Sequence, residues 1–398
     1  MSPLPIAPNL VPLIFHWGIT LFCFSICMRY VSSPDCKNLL QQNSVTGGIV
    51  LAIVLIFFIG LRPIAAIFGD TAVYAWGYNR MTVTHITVDW NKEWLFQAIS
   101  MWCKSNQWNV TVFFLIIETG YIGFMLWAYK KALSENFWMA ALFALSAFSF
   151  FTYGVNGMRN GLACSMVTLG IIFLAKDRNI PVAVVLCGLA LGVHKSTLLP
   201  TVAMTVAFFV LKNPKIALWF WLASIPISLV AGGPISNYFM SLGFDDRATA
   251  YMSGQNAQYG NFSSTGFRWD FLLYSAMPVW MIWFVMKTID RKREEMGGFC
   301  QEEDESGIVG AGIVADKVSM RVFNVLATVY LLTNAFWVMV IKAAFSNRFA
   351  YLSWFIYPLV LAYAVIRLHL WEDQDKKAAW ILLAHAAFTQ IMWLMGKA

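Results

Sequence analysis

Five polar motifs interrupt or border the apolar runs of this chain, and each carries groups that can bind an anion or move a proton. Asn156-Gly157-Met158-Arg159-Asn160-Gly161 sets a guanidinium between two amides at the opening turn of an apolar stretch. Helix N-termini favour anions, and an Arg fork fits phosphate oxygens. Its plain alternative is an Arg reaching for lipid headgroups. His194-Lys195-Ser196 is wedged between two apolar runs with Pro200 soon after. Three polar side chains at a helix break suit a cavity lining. There His194 can serve as a general base or a phosphate donor, and Lys195 as an anion-binding group. Its plain alternative is a hydrogen-bonding strut.

Two further motifs open apolar runs: Gly266-Phe267-Arg268-Trp269-Asp270-Phe271, and Ser346-Asn347-Arg348-Phe349 with Tyr351 and Trp354 following. Residues two apart do not face each other on a helix. Arg268 and Asp270 are therefore expected to serve separate partners, or Asp270 stabilises the helix start through the dipole. Asn347 reads most simply as a helix cap. The fifth motif runs from Gly60-Leu61-Arg62-Pro63 through Gly69-Asp70-Thr71 to Tyr74 and Trp76. It continues into the aromatic segment Asp89-Trp90-Asn91-Lys92-Glu93-Trp94-Leu95-Phe96. Asp70 and Glu93 are the carboxylates to consider as bases. Asp70 reads equally well as the cap of a helix beginning at Thr71.

The elements that carry these motifs are membrane helices. Only 12 % of residues are charged and 59 % are hydrophobic. Apolar runs of roughly 17–25 residues, enough to cross ~30 Å of hydrocarbon, recur along the chain. They predict an all-α, polytopic membrane protein of about twelve spans (eleven to thirteen), near 9–30, 46–68, 109–130, 136–153, 156–175, 180–194, 196–212, 215–232, 268–288, 320–342, 348–367 and 378–396. The pair 180–194 and 196–212 is short and reads alternatively as a bent or re-entrant hairpin. The first run lacks a basic leader and a small-residue cleavage site, and reads as a retained span. A single transmembrane domain over 1–398 is the expectation.

The net charge of +7 does not indicate a nucleic-acid partner, because the basic residues are spread over short loops. Cys23, Cys27, Cys164 and Cys187 fall in apolar runs, and no His/Cys cluster has metal-ligand spacing. No metal site is expected. When the inter-helix segments are numbered alternately, one set is clearly richer in Lys and Arg, and that side should be cytoplasmic. The charged loop 291–318 then lies inside. The segments 69–108, with interfacial helices, and 233–267 lie outside, as do the connections bearing Arg159, His194-Lys195 and Arg348. Cations on the side usually poor in them call for a local reason, and an anion site supplies one.

Together these pieces resemble the EpsG-type family of exopolysaccharide polymerases, relatives of the Wzy-type O-antigen polymerases. The matching residues are Gly60-Leu61-Arg62 with Asp70 and Tyr74, Glu93, the Asn156/Arg159 motif, His194-Lys195-Ser196, Phe267-Arg268-Trp269-Asp270 and Asn347-Arg348-Phe349. The family usually has Gln after the Arg of the Asn156/Arg159 motif, where this chain has Asn160.

The resemblance implies a C-type membrane glycosyltransferase in a bacterial inner membrane, with its active site facing outward. It would join oligosaccharide repeats carried on polyprenyl (undecaprenyl) pyrophosphate, with neither metal nor nucleotide cofactor. Membrane lipids, a flippase and a chain-length regulator are the partners it implies, and no nucleic acid. On that basis His194 or Asp70 deprotonates the acceptor, and Arg159 and Arg268 stabilise the leaving group with Lys195 and Arg348. Arg62 binds phosphate or holds Asp70, and Tyr74 stacks on sugar. Glu93, Asn156, Asp270 and Asn347 contribute to substrate binding. Three other readings stay open on the residues alone. A lipid-linked oligosaccharide transporter also needs a cationic cavity, although no internal repeat is visible. A membrane O-acyltransferase also uses a buried His. A non-catalytic assembly subunit needs none of this chemistry.

Overall fold

The computed structural model describes residues 2–32, 44–241, 266–295, 315–342 and 346–396. Most of the expected loops 233–267 and 291–318 lies outside the described residues. Every regular element among the described residues is helical.

The chain forms two compact units. The first comprises Met1–Phe173, Asn179–His194 and Val365–Ala398; the second comprises Leu174–Arg178 and Lys195–Ala364. In the first unit α1 (Leu10–Ser32) packs along the last helix, Gln374–Leu394, and α2 (Ser44–Gly60) packs along α5 (Val110–Ala132). Between α2 and α5 lie two helices too polar or too short to span, α3 (Thr71–Arg80) and α4 (Trp94–Ser105). They occupy the segment read as an outer loop with interfacial helices. Next come α6 (Phe137–Leu145) and α7 (Phe148–Val155), then α8 (Met158–Asp177) and α9 (Ile180–Val193). Local chemistry starts several of these helices. The Asn109 side chain accepts from the Val112 N–H to begin α5, and Asn179 accepts from Val182 to begin α9, where Pro181 costs no hydrogen bond.

The second unit is built on α13 (Lys317–Met339). It packs against α10 (Leu198–Phe209), α11 (Lys215–Ser241), α12 (Trp269–Glu295) and α14 (Asn347–Trp354). A buried polar hub joins α11, α12, α13 and α14. Asn334 accepts from the Trp221 indole at 2.7 Å and donates to Ser275 Oγ at 3.2 Å and Ser353 Oγ at 2.9 Å. The Trp354 indole donates to the same Ser275 hydroxyl at 2.7 Å. Between apolar helices in lipid, such bonds hold the contact where burial of grease gives little net drive. The helices α15 (Tyr357–Arg367) and α16 (Gln374–Leu394) complete the order.

The protein is polytopic, but the expectation of about twelve spans is corrected. Seven helices among the described residues are long and apolar enough to cross a membrane, with α14 and α15 counted as one span over Asn347–Arg367, or eight if the α6–α7 pair, bent by 67°, is also one span. The reasons are local. The run 46–68 stops being helical at Gly60, and α9 and α10 are short. The helix α16 carries His385, Thr389 and Gln390 within its apolar part and is not among the seven. Large apolar side chains on the outer surfaces, such as Trp219 and Val230, are exposed as a lipid-facing surface requires.

Candidate active site

A buried rung ties the end of α2 to the start of α3 and the α7–α8 junction in the first unit. Arg62 follows the end of α2 and is fully buried. It donates to Ile59 O at 2.8 Å, Thr71 Oγ1 at 2.9 Å, Val155 O at 3.3 Å and Met158 Sδ at 3.1 Å. Its charge faces Glu118 of α5 at 3.6 Å, also fully buried. Thr71 in turn donates to Val155 O. The start of α3 is thereby tied to the junction of α7 and α8. Arg62 is enclosed by protein groups, a strut beneath the site.

The next contact fixes the approach of the chain. The Asp70 backbone N–H donates to Asn156 Oδ1 at 2.8 Å. Gly69 has φ +58°, and a Cβ there would run into the Asn156 side chain. Only glycine permits both the conformation and the approach. The helix does begin at Thr71, yet the Asp70 carboxylate does not cap it.

One turn higher, four side chains meet. Tyr74 lies three residues beyond Thr71, and Arg159 four beyond Val155. Arg159 Nε donates to the Tyr74 hydroxyl at 3.0 Å. Its NH1 pairs with Glu93 Oε2, and Glu93 Oε1 meets His194 Nδ1. The Arg159 guanidinium lies 5.4 Å from the Tyr74 ring centroid and 5.6 Å from that of Phe96. Glu93 sits at the N-terminal end of α4, and His194 at the C-terminal end of α9 in extended backbone. These two helices pack together. Gly192 allows it, because a Cβ there would come within 2.6 Å of the Trp94 indole. The side chains of Arg159, Glu93 and His194 are 19 %, 20 % and 22 % exposed, which is open enough for substrate and closed enough to strengthen charge interactions.

The second unit gathers the remaining residues. Arg268 clasps Asp270 in a two-point pair, Nε to Oδ1 at 2.9 Å and NH2 to Oδ2 at 2.7 Å. The expectation of separate partners is corrected. Arg268 precedes α12 and lies outside the helix, so its side chain folds back onto the first turn. The guanidinium also covers Phe271 at 3.7 Å. Ser346 holds the cap position of α14, so Asn347 is not the cap. Asn347 instead hydrogen-bonds the Tyr351 hydroxyl, which lies within electrostatic reach of both Arg348 and Arg268. Lys195 is exposed in the 3-10 turn Lys195–Thr197, which packs against α14.

Arg159, Glu93, His194 and Tyr74 are thus joined directly in the first unit, with Asp70 and Asn156 one contact below. Arg268 pairs with Asp270, and Arg268, Asn347 and Arg348 lie near Tyr351, in the second. The residue the motifs missed is Glu118. Its signal was present, as the only charge between Val110 and Tyr129.

No curated protein and no solved structure matches the chain. A model of the EpsG family matches residues 47–397. That match takes in every residue of both clusters, and the chain belongs to the EpsG family.

Proposed function

We propose that this protein is a membrane glycosyltransferase that lengthens a polysaccharide by joining lipid-linked repeat units at the extracytoplasmic face. EpsG membership supports a polysaccharide polymerase in general. The observation that carries the chemistry is Glu93, whose two carboxylate oxygens engage Arg159 and His194 at once.

An acceptor hydroxyl attacks the anomeric carbon of the donor glycan. The new C–O bond forms as the bond to polyprenyl pyrophosphate breaks, and the pyrophosphate leaves with the electron pair. The hydroxyl proton passes to His194. With Nδ1 directed at Glu93, the ring is held in the tautomer that accepts at Nε2. Glu93 then stabilises the imidazolium, as a carboxylate does in a catalytic triad. Positive charge appears on His194 as negative charge appears on the leaving group. Arg159, held by Tyr74 and Glu93, supplies a fixed cation for that group, with no reorganisation at the moment of reaction. Arg268, Arg348 and Lys195 form a second anion-binding set for lipid-linked pyrophosphate. Asp70 is assigned to positioning, through its backbone bond to Asn156.

Purified protein incubated with a lipid-linked repeat, with products resolved by size, tests this reading. A ladder of products from wild type, absent in Arg159→Ala, is expected. A single added unit, or an Arg159→Ala ladder equal to wild type, overturns it.

A further inference from the structure

One helical turn beyond Glu93 there is a cleft that the reaction above leaves unused. The segment 81–92 and one face of α4 border an open depression of about 540 Å³, a size within the range of roughly 300–1,000 Å³ for small-ligand sites. Gln97, Ser100 and Met101 line it from α4, at the three- and four-residue spacing that shares one helical face. The Gln97 N–H bonds the Glu93 carbonyl at 3.1 Å. The Gln97 backbone is thereby bonded to the residue whose carboxylate holds His194.

The lining suits a neutral ligand. Its charged groups, Asp89 and Lys92, are 3.6 Å apart and offset each other. The rest is an amide, hydroxyls and apolar side chains. The loop is held in shape from within: the Asp89 N–H donates to Gln97 Oε1 at 3.3 Å, and Asp89 Oδ1 accepts from the Asn91 N–H at 3.0 Å. A pyrophosphate finds no uncompensated cation here. A sugar ring uses every part of the lining, its hydroxyls on the carboxylate and amide and its C–H face on the Met81, Val88 and Met101 side chains.

We propose that this cleft holds the acceptor sugar beside the reacting hydroxyl, and that Gln97 determines which sugar is accepted. The ligand's role as acceptor rests on the polymerase reading; the binding of sugar does not.

The test uses full-length purified protein and free oligosaccharides of one and two repeat units, released by mild acid from the polysaccharide of cells carrying the protein. Binding is read by saturation-transfer NMR and tryptophan fluorescence. Wild type should bind saturably. Gln97→Ala should weaken binding about tenfold, the scale of one lost hydrogen bond, raising KM while kcat stays within about twofold. Thr87→Trp, which fills the cleft without removing a polar partner, should block binding in a protein that still elutes as wild type. Arg159→Ala, inactive in extension, should bind the oligosaccharides normally. No binding by wild type, or equal binding by the cleft variants, overturns the proposal. Cleft-dependent binding in a wild-type protein that makes no polymer keeps the sugar site and overturns the polymerase reading instead.

Discussion

His194 and Asp70 are two candidate bases with different surroundings, and the difference is testable. His194 is oriented by a carboxylate at Nδ1, whereas Asp70 contributes a backbone N–H to Asn156. A positioned general base is worth about 10²–10⁴ in rate. His194→Ala should therefore lose about that much in turnover and lose the rising limb of the pH–rate profile. Asp70→Asn keeps its backbone donor and should retain that limb. A profile that flattens in Asp70→Asn and persists in His194→Ala would reverse the assignment. The individual residues were legible in the sequence because each polar group stood out against apolar neighbours. Their partnerships were not. Glu93 lies 66 residues from Arg159 and 101 from His194, and nothing local to any of them encodes that meeting. Asp270 was misread for a related reason: pairing it away from Arg268 assumed both were helical, and the helix starts one residue after Arg268.

At the scale of the elements, the Arg62 rung carries the site. It joins the end of α2, the start of α3 and the α7–α8 junction, and Glu118 of α5 neutralises it. Removing one partner of a buried pair strands the other charge and costs about 3–5 kcal/mol, while replacing both with apolar groups is often neutral. Arg62→Met should thus sharply lower folded protein in the membrane, and Arg62→Met combined with Glu118→Met should restore it. Turnover should stay low in the double variant, because Thr71 and Val155 lose their shared donor and Tyr74 no longer registers with Arg159. Abundance and turnover recovering together would show that the rung only holds the fold. The apolar run containing Glu118 was plain in the sequence. Its partner was not, because Arg62 lies 56 residues away in a motif that read as phosphate-binding.

For the whole molecule, fold class followed from composition alone, since runs this apolar have no alternative to helix in lipid. The number of spans did not. Apolar length fails to register a 67° bend at Ser146–Ala147 or a helix that ends at Gly60. Orientation rests on the distribution of Lys and Arg and makes a direct prediction. A membrane-impermeant thiol reagent applied to intact spheroplasts should label Lys92→Cys, which is exposed. It should label Arg291→Cys only after permeabilisation. The opposite pattern would put the Glu93 cluster on the cytoplasmic side.

The double engagement of Glu93 has a consequence for how this sequence can change over evolutionary time. A carboxylate that steadies a cation with one oxygen and an imidazole with the other makes three codons interdependent. Drift at any one of them forfeits the value of the other two. On the proposed mechanism a lineage can leave this arrangement only through an inactive ancestor or a coordinated replacement, whereas the positions proposed to face sugar stay free to diversify with the polymer.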